Sequence, residues 1–366
     1  MRRTDASAWV VSVCAVYLRL SQAKTLAALV ASALSVERIS LANIGRHMIG
    51  SAKHQIKRCW RFIANDRIET ADAMRGVLKR VLKKRKKVLI VALDWVDIKG
   101  FQTLMASVVL KGRSSPICWA SCKKHVYDGH RSRNAFEESL LLVLRSMIPQ
   151  SVKIILLADR GFGRTELARF CQNNHFDYII RIQPKVYVQS PSFTGKLTDY
   201  PHRKGVCKLL KNVAYRSGKN PVNQNIVIRW VRGLPKHRDE CWFLMTSLKG
   251  GPAQISKLYA RRMTIEQLFR DAKNKRNGWS LRDTRITTAD RLDRLILILA
   301  IAYLLLCGIG LLAREQFKPS AWNSASKDQC SLFVIGLIML RKVKARPAYA
   351  FDAVLELAQE VAQNWG

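Results

Sequence analysis

Three patterns of apolar spacing follow one another along this chain. Up to about residue 85 the apolar positions recur at helical intervals. Ala8–Leu18 follows two arginines and imitates a signal peptide, but Arg19 and Lys24 come next and no small-residue cleavage site closes the run, so a buried helix is expected. Gln22–Leu34 and Ser40–His47 read as helices joined by a short polar connection, with Ser40 as the N-cap of the second. A third helical stretch runs from about His54 to Ile63 and interleaves Lys57, Arg58 and Arg61 with Trp60. Helix, turn, helix is compatible with a DNA-reading element, and equally with any small helical bundle.

From Val88 the pattern shortens. The order read is strand Val88–Leu93, strand Phe101–Leu110, strand Ile117–Lys123, helix Asn134–Met147, strand Val152–Leu157, helix Arg164–Asn173 and strand Asp177–Ile182. Residues 183–250 then carry short β-type runs, Val186–Gln189, Asn225–Arg232 and Glu240–Thr246, between turns rich in Pro, Gly, Ser and Lys. They predict a β insertion subdomain packed beside the core. The helical period returns at Tyr259–Lys273. Leu295–Ala313 is apolar enough to span a bilayer, which takes about 20 residues. Arg291, Asp293 and Arg294 at one end, two glycines near the other and the lack of a second such span predict a buried helix instead. Leu332–Leu340 and Ala350–Ala362 predict a C-terminal helical segment suited to dimerisation.

Charge narrows the choice of partner. Lys and Arg number 63 against 26 Asp and Glu, a formal net charge of +37 over 366 residues. Such an excess concerns partners rather than fold, and nucleic acid is the first candidate. The densest run, Lys79–Lys87, leads directly into the strand that ends at Asp94, so Lys83, Lys84 and Arg85 are candidate DNA-backbone contacts. The nine cysteines show no small-domain disulfide pattern, which points to a reducing cytoplasm. Cys118, Cys122 and His125 have the spacing of three zinc ligands without an obvious fourth, and ordinary strand cysteines are the expected reading.

The candidate chemistry lies in three acids. Asp94 and Asp159 each follow an apolar strand, and the carboxyl ends of strands are where α/β sheets collect ligands. Glu266 lies on the Tyr259–Lys273 helix. At about 100° per residue, Tyr259, Arg262, Glu266 and Lys273 fall within roughly 60° of one face. A solvated helix with an Arg262–Glu266 pair would look the same taken alone. Two Asp and one Glu converging would make a hard oxygen site for Mg²⁺, with Mn²⁺ able to substitute. Two such ions suit phosphodiester chemistry on a polyanionic substrate.

The spacing Tyr259-x2-Arg262-x3-Glu266-x6-Lys273 resembles the signature of the bacterial insertion-sequence transposases of the IS-four family. The resemblance extends to the segments around Asp94 and Asp159 and to Asp283–Leu292, and covers roughly residues 85 to 310. It implies an α/β chain with a ribonuclease-H-like catalytic core, a β-rich insertion subdomain and helical N- and C-terminal parts. The implied division is a helical DNA-binding domain at 1–85, the core at 86–182 and 251–315, the insertion at 183–250 and a C-terminal helical segment at 316–366. It implies that Asp94, Asp159 and Glu266 hold two Mg²⁺, with Asp97 outside the ligand set. Arg262 and Lys273 would grip phosphates at the cleaved end, with Tyr259 orienting one. Some such enzymes close flanking ends as hairpins around an extruded base, and Trp242 matches the family's stacking position, with Trp230 as runner-up. The expected partners are double-stranded DNA, at terminal inverted repeats and target, and a second copy of the chain, in a bacterial cytoplasm at the nucleoid with no membrane involved. A structure-specific endonuclease of the same fold, or a DNA-binding relative without chemistry, are the alternatives.

Overall fold

The structure is a computed structural model and describes residues 3–36, 38–82, 88–110, 112–124, 126, 132–201, 203–215, 222–231, 240–274, 279–281, 284–323 and 330–342. In chain order, helices α1 (Arg3–Cys14), α2 (Leu20–Ala33), α3 (Leu41–Arg46), α4 (Ala52–Ala64) and α5 (Thr70–Leu82) precede strands β1 (Val88–Ile98), β2 (Phe101–Val109) and β3 (Ser114–Lys123). Helix α6 (Arg133–Met147), β4 (Lys153–Ala158), α7 (Thr165–Asn173) and β5 (Phe176–Arg181) follow. Then come β6 (Tyr187–Ser190), β7 (Phe193–Lys196), β8 (Cys207–Tyr215), β9 (Val222–Val231) and β10 (Glu240–Thr246). The chain continues through α8 (Pro252–Ala260), α9 (Met263–Lys273), α10 (Ala289–Gln316) and α11 (Leu332–Lys342). It divides into two compact units, one of Met1–Lys86, Trp95–Pro149 and Ile265–Gly366, the other of Lys87–Asp94 and Gln150–Thr264.

The second unit is a mixed sheet in the order β1-β4-β5-β10-β9-β8-β6-β7. Its first three strands are parallel. Val88–Leu93 and Ile154–Ala158 are buried without alternation, as strands covered on both faces must be. From β10 onward every pairing is antiparallel. The strands expected as an insertion therefore extend the same sheet through the β5–β10 pair. The sequence pattern missed β7 and β8 because their burial is patchy and carries little apolar signal. Helix α7 packs on β5 and β9, and α8 on β8 and β9.

The first unit is built on α10, which packs against α2, α4, α5, α11 and β3. Every residue from Arg294 to Gly310 is buried, as expected for a core helix with a membrane-like composition. Two of the charges at its start are used internally. Arg294 donates to the carbonyls of Ile63 (3.1 Å) and Ile68 (3.2 Å). Asp293 accepts from the Ser121 backbone N–H at 3.1 Å and from its hydroxyl at 2.6 Å. Residues 350–362, expected to be helical, lie outside the described residues.

One expectation is corrected. Tyr259–Lys273 is not one continuous helix but the end of α8 and the whole of α9. The amides of Arg261 and Arg262 bond back only three residues, to the carbonyls of Leu258 and Tyr259, and this tightened turn ends α8. The arc that placed Tyr259 on one face with Glu266 therefore does not apply across the joint.

Where α10 meets α11, two glycines allow backbone contact. A Cβ on Gly310 would stand 1.9 Å from the Leu332 carbonyl oxygen, and one on Gly336 would stand 2.0 Å from that of Leu306. Gly310→Ala and Gly336→Ala are each expected to destabilise the protein by about 1–3 kcal/mol, read as a lower urea midpoint. Gly251→Ala, where a Cβ meets nothing within 4 Å, should shift it by less than about 0.5 kcal/mol. Equal midpoints for all three variants would refute this account of the contact.

Candidate active site and nucleic-acid interface

The parallel pairing of β1 and β4 runs in register from Val88 opposite Lys153 to Leu93 opposite Ala158. The next residues are Asp94, where β1 continues alone to Ile98, and Asp159, which follows β4, so two carboxylates stand just past the last pair of neighbouring strands, which lie about 4.8 Å apart in any sheet. Ala158 stands opposite Ile180 of β5, and Arg181 is the next residue there. The carboxyl edge of the parallel strands thus reads Asp94, Asp159, Arg181.

Local geometry fixes each of these groups. Asp159 caps the 3₁₀ turn Arg160–Phe162, its Oδ1 accepting from the Gly161 N–H at 2.8 Å. Gly163 closes that turn, and its carbonyl accepts from the Tyr215 hydroxyl at 2.7 Å, which ties the loop to β8. Arg262, at the joint between α8 and α9, brings Nη1 to 3.1 Å from Oδ2 of Asp94. Their side chains are only 9% and 17% exposed, so solvent screens this pair weakly.

Aromatic groups continue the cluster. Tyr259 is buried and meets Trp242 edge to face, with ring centroids 5.2 Å apart. Burial pushes the Tyr259 phenol up to about 12 against the opposing pull of Arg262 and Arg181, and Asp159 adds to the rise. Tyr259 is therefore a neutral hydroxyl at any working pH. Trp242 donates from Nε1 to Oε1 of Glu240 at 2.7 Å. Oε2 of Glu240 takes a hydrogen bond from Arg181 at 2.6 Å, and the Arg181 guanidinium stands 5.9 Å from the Trp242 ring centroid. Partial burial raises the Glu240 carboxyl, but bonds from Arg181 and Trp242, with the charges of Arg181 and Arg160, hold it below the usual range.

Of the residues singled out by sequence, Asp94, Asp159, Trp242, Tyr259 and Arg262 belong to the second unit. Glu266 and Lys273, both half-buried on α9, belong to the first, whose portion of this helix starts at Ile265. Lys273 lines an apolar cavity there with Leu268, Phe269, Trp279 and Tyr303. Asp97 is exposed and Trp230 is half-buried opposite Cys241. Lys83, Lys84, Arg85 and His125 lie outside the described residues. Cys118 and Cys122 are buried in β3, and burial pushes the Cys118 thiol up to about 12, so in the free protein it is a protonated core cysteine.

Sequence reasoning missed Arg181 and Glu240. Arg181 could have been found by asking which residue ends the third apolar strand, as was done for Asp94 and Asp159. Glu240 shows itself only through its contacts.

Among the described residues, no three His, Cys, Asp or Glu side chains stand close enough to cage a metal ion. The two strand-end aspartates nonetheless fit, as a donor set, a hard cation such as Mg²⁺, which takes one or two carboxylates and completes its shell with water and phosphate oxygens.

A second surface belongs to α4 in the first unit. The helix buries Cys59, Phe62 and Ile63 and exposes Lys53, His54, Lys57, Trp60 and Arg61. Arg58 instead turns inward and donates to the Thr25 hydroxyl at 3.0 Å. Helix α3 crosses α4 at Gly45, where a Cβ would lie 2.7 Å from Ile56. Close packing of α3 thus leaves the basic, aromatic face of α4 uncovered by it.

Residues 89–305, more than half of the chain, match the family described as transposase DDE domain. No curated protein matches the chain.

The depressed Glu240 carboxyl has a consequence for pH. Its pair with Arg181 contributes stability above the ordinary glutamate value of about 4.3, and that contribution is lost as pH falls through the lower folded value. Wild type is expected to have a higher urea midpoint than Glu240→Gln at neutral pH, and the two should converge on acidification. A gap that persists unchanged into acid would show that the pair does not carry it.

Proposed function

The chain belongs to the transposases with a DDE domain, and we propose that it is a cut-and-paste enzyme of the IS-four insertion-sequence type with a ribonuclease-H-like core. The observation that carries this reading is the in-register pairing that sets Asp94 and Asp159 side by side, each the residue after the last pair of β1 with β4. Arg262 lies against the first of them and Arg181 comes next along the edge. Such an edge suits phosphodiester chemistry, since carboxylates can hold divalent cations while guanidinium groups receive phosphate oxygens.

In this reading Asp94, Asp159 and Glu266 hold the metal. Two Mg²⁺ ions, when bound, supply activation of the attacking oxygen and stabilisation of the leaving one. Water attacks the phosphodiester at the element's end; the phosphorus–oxygen bond to the 3′ oxygen breaks and leaves a 3′-hydroxyl and a 5′-phosphate. That hydroxyl then attacks a target phosphodiester and displaces a new 3′-hydroxyl. Arg262 and Lys273 hold phosphates of the cleaved end, and the Tyr259 hydroxyl orients one. Trp242, held by Glu240 and Tyr259, offers an aromatic face for a displaced base. Helix α4 reads the terminal repeats with Lys53, Lys57, Trp60 and Arg61, a placement suited to a helix that follows a short turn. Two copies of the chain pair the two ends in the bacterial cytoplasm.

Two experiments test this. Asp94→Asn, Asp159→Asn and Glu266→Gln are each expected to lower cleavage of the element's end by more than about 100-fold, beyond what loss of an outer partner of a metal ligand costs, while leaving duplex binding within about twofold. Wild-type cleavage by any of them removes that acid from the site. A joining assay with pre-cleaved ends separates a transposase from a nuclease of the same fold. Product with the wild-type protein and none with Asp94→Asn is expected, and cleavage without joining would favour the nuclease.

A further inference from the structure

Trp95, Arg133 and Glu137 form a cluster in the first unit that the chemistry above leaves unused. Trp95 lies in β1, and α6 supplies the other two residues one turn apart. The Glu137 side chain is 1% exposed, and its Oε1 accepts from the Trp95 indole Nε1 at 2.8 Å and from Arg133 Nε at 3.2 Å. The Arg133 guanidinium lies 4.9 Å from the Trp95 ring centroid, and Phe136 stacks on the same indole at 5.5 Å. Arg133 itself is 45% exposed.

Two features of this cluster are poor choices for stability alone. A buried carboxylate is costly to desolvate, and an apolar residue in its place would serve packing as well. Glu137 instead supplies orientation. It occupies the Nε–H of Arg133 and leaves the Nη1 and Nη2 groups, which among the described residues have no other hydrogen-bond partner. The second feature is position. Arg133 is the first residue of a 15-residue helix capped by Ser132, with no acidic residue in its first turn. The helix dipole favours an anion there and disfavours a cation. A guanidinium paired through Nε with Glu137, stacked on an indole and set at the positive end of a helix keeps its Nη groups for a second anion.

We propose that Arg133, seated on Trp95 and braced by Glu137, binds a phosphate of the DNA backbone. The proposal rests on the reading that this chain acts on DNA. The ligand is one phosphodiester group, held in bidentate fashion and read without regard to base.

The test is binding of a labelled random-sequence duplex by the full-length protein across a salt series. One phosphate contact adds about 0.9 to the slope of log affinity against log salt. Arg133→Ala is expected to lower that slope by about 0.9, so that its deficit against wild type shrinks about threefold to fourfold between about 50 and 200 mM salt. Arg133→Lys should keep the slope, since it keeps the charge. Arg133→Gln retains the stem over Trp95 and a donor for Glu137 without the charge; it should lower the slope as Ala does, and it carries the test if the Ala variant fails to fold. Wild-type protein that binds no duplex overturns the reading beneath the proposal. Wild-type binding with an unchanged slope in both Arg133→Ala and Arg133→Gln overturns the proposal alone.

Discussion

Register is the constraint on which the candidate site depends. Asp94 and Asp159 are neighbours because Leu93 and Ala158 are partners, and those are partners because the apolar residues of β1 and β4 are buried together over five consecutive pairs, from Leu89 opposite Ile154 to Leu93 opposite Ala158. A slip of one residue in either strand would turn every side chain to the opposite face and take Asp94 and Asp159 out of step with each other. The hydrophobic effect acting on apolar residues therefore positions the two acids proposed for the chemistry. Burial stops sharply at this edge, since Leu93 and Ala158 are enclosed while Asp94 and Asp159 are half-exposed.

Two carboxylates held one strand spacing apart repel each other, and the surrounding chain supplies the opposing charge. Arg262 comes to Asp94 from the joint between α8 and α9, and Arg181 follows Asp159 along the edge. Glu240 takes up part of the charge on Arg181 and fixes the Trp242 indole through its other oxygen. Trp242 in turn packs against the buried ring of Tyr259, to which Arg262 also bonds. The cluster thus links Asp94 of β1 and the last residue of β5 with the start of β10 and the end of α8 through side chains alone.

Much of this could be read from the amino-acid sequence, and what could not has identifiable causes. The parallel strands were plain because burial on both faces leaves unbroken apolar runs such as Val88–Leu93, and a carboxylate directly after such a run stands out. The apolar centre of helix α10 was equally plain, although the helix extends past it at both ends to Ala289 and Gln316, and its internal use of Asp293 and Arg294 agrees with the charges that argued against a membrane span. β7 and β8 escaped because an edge region with alternating exposure has no strong apolar pattern. Glu240 escaped because its role is made by partners distant in sequence. The joint at Arg261–Arg262 escaped for another reason: Tyr259–Lys273 has helical periodicity on both sides, and neither Gly nor Pro marks the break. Two three-residue backbone bonds, rather than a breaker residue, end the first helix.

That joint changes what the four spaced residues mean. On one uninterrupted helix they would share a face by spacing alone, an argument that the joint removes without testing their roles. As folded, Tyr259 and Arg262 belong with the strand-end aspartates, while Glu266 and Lys273 lie beyond the turn on α9. The identified arginines near the aspartates already have acidic partners, Arg262 with Asp94 and Arg181 with Glu240. Pairs of this kind give direction at short range but little long-range attraction, because their fields largely cancel. The pull on a polyanion must come from the net excess of +37 carried elsewhere, including the uncovered face of α4. In the function proposed above, capture and chemistry then fall to different groups: a broad, salt-sensitive field would gather the nucleic acid, and a nearly neutral, tightly bonded edge would receive one phosphate at a time. Such an edge can exchange an internal carboxylate partner for a phosphate with little net change in local charge, which is what an enzyme needs if it must grip and release successive phosphodiesters.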